Sequence, residues 1–416
     1  MQQIIVIGGG ASGIACALAA GKTNPDAKIT ILEQLDRVGK KILLTGNGRC
    51  NLSNKEIYFN HYHSQSLTVL SDIMKPMTPE FAIKFFNELG LLCCEEDSGR
   101  IYPYSYQASM VLDVLLLALK QENICVVCSC KVSGVSYTKN RFVVATQGGQ
   151  NYYADKVIMS TGGKATPHLG NDGSGYEIAK SFGHKCLNTY PCLVPFCCKY
   201  EGLNGLKGIH VHGVATLYSD GNLLGTSKGE ILLTDYGLSG IPAMDLSCFM
   251  DQVKPNAKSV IQIDLFPDFK PTQLRTFLDA RVKKYASETL EMFFTGLINK
   301  KIAYSVLKHI GIAPLSRSIG SLNSQELDEL TKTLKSWRFP VASTLSWDKA
   351  QTTGGGIPLG EINPDTMESR LQPGLYLTGE LLDTVGECGG FNLHWAWCTG
   401  IIAGTSAASS LSCRSK

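Results

Sequence analysis

Residues 4–33 constrain this chain more than any other stretch. Ile4-Ile5-Val6-Ile7 is an aliphatic run of strand length, and Gly8-x-Gly10-x-x-Gly13 follows it at once. An alanine-rich helical segment comes next, then a second strand-like run, Lys28 to Leu32, which ends on Glu33. This order predicts a βαβ unit that holds a dinucleotide. Gly8 permits the tight turn from strand to helix, Gly10 lets the backbone approach a pyrophosphate, and Gly13 lets helix and strand pack closely. The helix start, with Ala11 and Ser12, adds unpaired N–H groups and the positive end of the helix dipole. Glu33 is placed to accept hydrogen bonds from a ribose diol. A glycine pattern alone is a weak signal; strand, glycines, helix, strand and acid in order make a strong one.

The chain has 416 residues, 44% of them hydrophobic, which allows about two or three domains and a large core. Its 39 basic and 36 acidic residues nearly cancel, with no long basic run, so no nucleic-acid partner is expected. The first strand begins too early to leave room for the charged region of a signal peptide. The apolar stretch Phe391 to Ala408 is interrupted by Asn392, His394, Thr399, Gly400 and Gly404, so it reads as a buried helix rather than a membrane span. A cytoplasmic protein is expected. The 15 cysteines cluster at Cys93-Cys94, Cys125-x-x-Cys128-x-Cys130 and Cys197-Cys198. No second ligand pair accompanies Cys125 and Cys128, so they are expected to be small core residues in a β-run over 124–130, with no metal.

Thr78 and Pro79 sign the start of a helix that Gly90 ends, and a second helix is expected from about Ala108 to Gln121. Three short β-runs, near Lys131–Tyr137, Arg141–Thr146 and Gln150–Ala154, suggest a meander, before a buried strand over Lys156–Ser160. From Tyr190 to about Leu265 the texture is short strands and turns. Residues 271–337 look helical, with Asn323 and Glu326 as a capping pair, and a β-rich return begins near Val341. The last sixty residues resume the opening style. We therefore expect one α/β domain from both ends of the chain, 1–190 and 351–416, with an insertion over 191–350.

Three further segments point to FAD as the dinucleotide. Thr45-Gly46-Asn47-Gly48-Arg49-Cys50-Asn51 allows close approach to a flat ligand, with Arg49 available to phosphate or ring oxygen. Ser160-Thr161-Gly162-Gly163 is a strand end opening on the crevice where parallel sheets bind ligands. Thr378-Gly379-Glu380, then Gly389-Gly390-Phe391-Asn392-Leu393, could set helix-start N–H groups against a ring carbonyl or ribityl chain.

Together with Gly39-Lys40-Lys41-Ile42, Gly99-Arg100-Ile101-Tyr102-Pro103, Thr366-Met367-Glu368-Ser369 and Gly389 to Trp397, these motifs resemble the BaiN/YhiN-type bacterial flavoproteins, a branch of the glutathione-reductase-like FAD enzymes. The resemblance covers nearly the whole chain. It implies an α/β fold: a Rossmann-like FAD-binding domain with an inserted β-barrel plus helical domain. It further implies that Gly8, Gly10, Ala11, Ser12 and Gly13 meet the pyrophosphate, Glu33 and Gln34 the adenosine ribose, and Val132 the adenine. Lys40, Lys41, Gly46, Gly48, Arg49, Cys50 and Asn51 would follow the ribityl-flavin end, with Gly162, Gly379, Glu380, Gly390, Asn392 and Leu393 near the flavin. Three positions depart from the family pattern: Asp235 in place of His, Cys388 in place of Thr, and His394 in place of Gln.

No second GxGxxG follows, because Gly170-x-x-Gly173-x-Gly175 has the wrong spacing and no strand before it. NAD(P)H is therefore expected as a transient co-substrate that visits the flavin from the insertion side. The resemblance implies reduction of an activated carbon–carbon double bond, as in the reductases of 3-oxo-Δ4/Δ6 bile-acid or steroid enones. That chemistry needs a proton donor and donors for an enolate oxygen. Tyr236, Tyr104 and His394 are candidates by type. Tyr104 can equally pack beneath the flavin loop, Tyr236 can cap a strand, and His394 can be structural, so no single catalytic residue is assigned. Two alternatives remain open: an amine or aminoketone oxidase that releases peroxide, and a non-catalytic flavin-binding regulatory protein.

Overall fold

In the computed structural model, which describes residues 1–96, 99–122 and 124–412, the opening aliphatic run becomes strand β1 (Gln3–Ile7), the middle strand of a five-stranded parallel sheet. Both faces of such a strand are covered, which is why it reads as unbroken hydrophobic sequence. Helix α1 (Ala11–Thr23), strand β2 (Lys28–Leu32), helices α2 (Pro79–Glu88) and α3 (Ala108–Gln121), and strands β3 (Cys125–Val127) and β4 (Lys156–Met159) follow. Strands β5 (Phe196–Cys198), β6 (Ile209–Ser219), β7 (Asn222–Leu233), β8 (Gly237–Gly240) and β9 (Ser259–Asp264) come next. Helices α4 (Pro271–Lys284), α5 (Lys300–His309) and α6 (Ser324–Lys335) precede strand β10 (Trp337–Thr344). Strand β11 (Leu375–Leu377) and the terminal helix α7 (Phe391–Ser412) complete the chain.

Two compact units result: Met1–Cys192 with Trp347–Lys416, and Leu193–Ser346. In the first unit the sheet order is β11-β4-β1-β2-β3, and Ile4 stands beside both Ile29 and Lys156. The core is aliphatic, from Ile4 and Val6 through Ile31, Ile158 and Leu377. The three-stranded meander lies over Val132–Thr138, Arg141–Thr146 and Asn151–Ala154. Of the β-run expected over 124–130, only Cys125–Val127 is strand. Ser129 turns left-handed at φ 53° and gives its N–H to the Leu35 carbonyl, while Cys130 gives its own to the Glu33 carbonyl.

The second unit is a closed antiparallel barrel, order β5-β8-β7-β6-β9-β10, with a helical layer. Its strands are longer than the short runs expected, since β6 has 11 residues and β7 has 12. Side chains alternate inward and outward along β9, and Leu217, Ile231, Ile261, Trp337 and Phe339 fill the core. The β-rich return starts at Trp337, four residues before Val341, because that tryptophan is itself a core residue. Asn323 and Glu326 form a reciprocal capping box, each accepting the other's backbone N–H at 2.9 Å. Among the described residues no helix is long and apolar enough to cross a membrane.

Helices α1 and α7 cross at backbone distance. A Cβ on Gly400 would lie 2.5 Å from the Ser12 carbonyl oxygen, and one on Gly404 would lie 2.1 Å from that of Cys16. Gly404→Ala should therefore destabilise the protein by about 1–3 kcal/mol by overpacking, more than alanine's helix propensity returns. Urea midpoints check this, and an unchanged midpoint would show that the crossing has slack.

Candidate functional site

The three glycines of the first turn have three different surroundings. Gly8 sits at φ 100°, gives its N–H to the Leu32 carbonyl at 2.8 Å, and leaves 2.4 Å between a Cβ and the Ser160 carbonyl oxygen. Gly13 is pressed on Gly8, a Cβ there falling 1.9 Å from the Gly8 carbonyl oxygen. Around Gly10 no atom lies within 4 Å of a Cβ, and its φ of −81° suits any residue. Protein therefore closes in on the first and third glycines, and open space fronts the second. The first N–H groups of α1 (Ala11, Ser12, Gly13) face no side-chain cap, and a helix offers them no internal partner. Glu33 is buried and accepts N–H from Gly9 at 2.7 Å and from Leu35 at 2.8 Å, one on each carboxylate oxygen. Each oxygen keeps a lone pair for a further donor.

The loop after β2 docks on this turn, with the Gly39 N–H 2.8 Å from the Gly9 carbonyl. Gly46, Asn47 and Gly48 then run left-handed at φ 56°, 55° and 82°. A Cβ on Gly48 would meet nothing, whereas one on Gly46 would approach the Asn51 N–H at 2.9 Å. Long side chains here are largely spent on the protein. Lys40 pairs with Asp36, and Lys41 Nζ lies 2.8 Å from Glu380 Oε2. Gln34 donates to the Gly170 carbonyl. Arg49 meets Glu96 Oε1 at 3.2 Å and stacks 4.6 Å over Tyr102. The Cys50 thiol is a core group, pushed up to about 12 by burial. Asn51 differs: its Oδ1 is buried and has no partner among the described residues.

At the other end, Gly379 is left-handed at φ 64°, and a Cβ on it would sit 2.8 Å from Ser12 Oγ. Glu380 Oε1 accepts the Thr353 hydroxyl at 2.8 Å, and Thr353 Oγ1 accepts the N–H groups of Lys164 at 2.7 Å and Ala165 at 3.0 Å. Sequence reasoning missed Thr353; its one signal was the glycine run Gly354-Gly355-Gly356 beside it. Gly390, at φ 102°, lets α7 start with a Cβ position only 2.4 Å from the Ser53 carbonyl. Asn392 turns its amide on Gly386, accepting its N–H at 2.8 Å and donating to its carbonyl at 2.6 Å, so the side chain closes the preceding turn. Helix α7 offers no internal partner to its first N–H groups, those of Phe391, Asn392 and Leu393.

Gly162 is left-handed at φ 69°, and the neighbouring Thr161 Oγ1 is buried without a partner among the described residues. Val132 is buried at the head of its strand, which the bond from the Cys130 N–H to the Glu33 carbonyl, at 2.8 Å, holds beside Glu33. Ser12 stands beside Gly400 and Cys16 beside Gly404, so α1 and α7 run parallel and α7 begins about 12 Å further out along their shared direction. Two helix starts facing one way, offset by that length, suit an elongated ligand gripped at two points. An open cradle at Gly10 and an orphaned Asn51 oxygen fit a dinucleotide.

The three proton-donor candidates have three different surroundings. His394 is fully buried, with Nδ1 2.9 Å from Ser53 Oγ and Nε2 3.0 Å from the Met77 carbonyl. The carbonyl can only accept, so Nε2 carries the proton and Nδ1 accepts the serine hydroxyl. Burial pushes the imidazole down to about 4, so it stays neutral and structural. Tyr104 is 67% exposed; the ring beneath the 45–51 loop is Tyr102, at 2%. Tyr236 lies on the β7–β8 turn of the other unit, 38% exposed, beside the surface pair Asp235–Lys207. Among the described residues no group of three or more His, Cys, Asp or Glu could hold a metal ion.

Two outcomes follow. Gly10→Ala touches no protein atom, so it should leave the melting temperature of cofactor-free protein unchanged while weakening dinucleotide retention at least tenfold; undiminished retention would move the pyrophosphate elsewhere. For His394, the unfolded chain takes up a proton near pH 6.5, the folded one only near 4. Stability from this group is complete above that upper value and is lost as pH falls through the window, by on the order of 3 kcal/mol. His394→Gln should flatten this acid limb in urea titrations, and an equal loss in both proteins would place the effect elsewhere.

A family model described as the HI0933-like protein Rossmann domain matches residues 2–406. A 3-dehydro-bile acid delta(4,6)-reductase of Clostridium scindens is 36% identical over 409 residues, spanning 98% of this chain and 99% of that protein. A ribosomal RNA dihydrouridine synthase of Escherichia coli is 29% identical over 396 residues, 94% of each chain. Another, of Haemophilus influenzae, is 27% identical over 403 residues, 95% of this chain and 96% of that one.

Proposed function

The chain belongs to the HI0933-like Rossmann-domain family, and from that membership we propose an FAD-dependent oxidoreductase that uses NAD(P)H to reduce a carbon–carbon double bond conjugated to a carbonyl. The observation that carries this reading is the 36% identity to a 3-dehydro-bile acid delta(4,6)-reductase over 98% of the chain. The more distant relatives agree in chemistry. A dihydrouridine synthase also adds hydrogen across a double bond conjugated to a carbonyl, in uracil.

Bound FAD supplies a ring that accepts a hydride and passes it on. The N–H groups of Ala11, Ser12 and Gly13 hold its pyrophosphate against the open face of Gly10, and Glu33 accepts the ribose hydroxyls. At the far end, the N–H groups of Phe391, Asn392 and Leu393 present a positive helix end to the ring carbonyls. The linked Lys41, Glu380 and Thr353 hold that end in place through fixed hydrogen bonds. His394, neutral and doubly bonded, orients the start of α7 and moves no proton.

The substrate class we favour is a 3-oxo enone of steroid or bile-acid type, in line with the most similar relative named above. Mixing the FAD-loaded protein anaerobically with NADH or NADPH should bleach the flavin, and adding a 3-oxo-4-ene steroid should restore its absorbance. Absence of both changes would sink the reading. A second reading, reduction of uridine within RNA, is favoured by the two dihydrouridine synthases.

A further inference from the structure

His394, His184 and His61 each hold Nδ1 in a hydrogen bond, but they differ at the other nitrogen. His394 Nε2 meets the Met77 carbonyl. His184 pairs with Glu361 through Nδ1 at 2.8 Å, and its Nε2 lies 2.7 Å from Ser369 Oγ. His61 places Nδ1 2.9 Å from Glu387 Oε2, and its Nε2 has no hydrogen bond among the described residues. A carboxylate can only accept, so the proton sits on Nδ1. Nε2 is then a bare acceptor in the neutral ring and a donor in the imidazolium.

This pair is held more firmly than an ordinary surface pair. The imidazole lies nearly parallel to the Phe391 ring, with centres 4.8 Å apart and planes at 16°. The Glu387 N–H returns to the His61 carbonyl at 3.0 Å. Tyr62–His63 and Val385–Gly386 pair as antiparallel strands, and Tyr62 Oη donates to the Phe391 carbonyl at 3.0 Å. The ring is thus fixed against the first residue of α7, and the side chains of His61 and Glu387 stay 29% and 33% exposed. The neighbouring Tyr62 phenol is no rival, being buried and spent on that carbonyl. No motif singles out His61.

We propose that His61 is the proton donor of the reaction and that Glu387 positions it. This rests on the enone reading and on the start of α7 meeting the ring carbonyls of FAD. Hydride from the reduced cofactor, replenished by NAD(P)H, forms a C–H bond at the substrate's β-carbon, and the C=C electron pair moves toward the carbonyl as an enolate. The Nε2–H bond of the His61 imidazolium then breaks, its proton forms the C–H bond at the α-carbon, and the carbonyl is restored. The neutral imidazole takes its next proton from solvent. Glu387 keeps the other proton on Nδ1, so Nε2 is the atom that works.

The test mixes photoreduced, FAD-loaded protein anaerobically with a 3-oxo-4-ene steroid. In His61→Gln the FAD content and the steroid affinity, read from the oxidised flavin spectrum, should be unchanged. The limiting rate of flavin reoxidation should fall by about a hundredfold or more. Glu387→Ala should slow the same step by about tenfold or more, because an unheld imidazole loses its fixed tautomer. Spectra of FAD-loaded protein carrying 15N-histidine should show His61 protonated at Nδ1 in wild type and mixed between the two nitrogens in Glu387→Ala. An unchanged limiting rate in His61→Gln overturns the proposal. So does a loss of FAD or steroid affinity that accounts for the slowing, or a wild-type His61 without a proton on Nδ1. Wild type that the steroid does not reoxidise sinks the enone reading and the proposal with it, a result distinct from turnover that survives His61→Gln.

Discussion

The backbone crossing of α1 and α7 is the constraint on which the site depends. With Gly400 and Gly404 seated against the carbonyls of Ser12 and Cys16, two helices from opposite ends of the chain are locked in parallel. Their register sets how far the start of α7 stands beyond the start of α1. Sites made of helix N–H groups have little adjustable geometry, because the donors belong to the backbone and cannot change rotamer. A side chain at Gly400 or Gly404 would push the helices apart and displace both sets of donors.

The site rests more on backbone than on side chains. Gln34, Lys40, Arg49 and Asn392 were natural candidates for ligand contacts, yet each is engaged by a carbonyl or a carboxylate of the protein. The spacing that places them near the ligand was legible; the partner each would choose was not. A long side chain reaches several neighbours, and which one is present depends on segments remote in sequence. Arg49 meets Glu96 and Tyr102 because the 93–103 hairpin passes beneath its loop. Thr353, which no motif singled out, joins Glu380 to the amides of Lys164 and Ala165 across three separate stretches.

Charge is also uneven along the chain: residues 270–335 hold eleven Lys and Arg against six Asp and Glu, and the other 350 residues hold 28 against 30. Within that segment Arg275, Arg317, Lys332 and Lys335 are paired with carboxylates, partners that only the folded chain brings within reach.

By itself the sequence determined what depends on neighbours in the chain: the βαβ unit, the role of each glycine in its first turn, the capped helices α2 and α6, and the buried character of α7. These follow from periodicity, capping chemistry and the room a missing Cβ leaves. Tertiary structure alone decided the closure of the barrel, the offset of the two helix starts, and the state of His394. That histidine looked like a proton donor until Ser53 and Met77, more than three hundred residues away, occupied both its nitrogens. Burial then removed its charge, a property that belongs to the folded environment and to no local pattern.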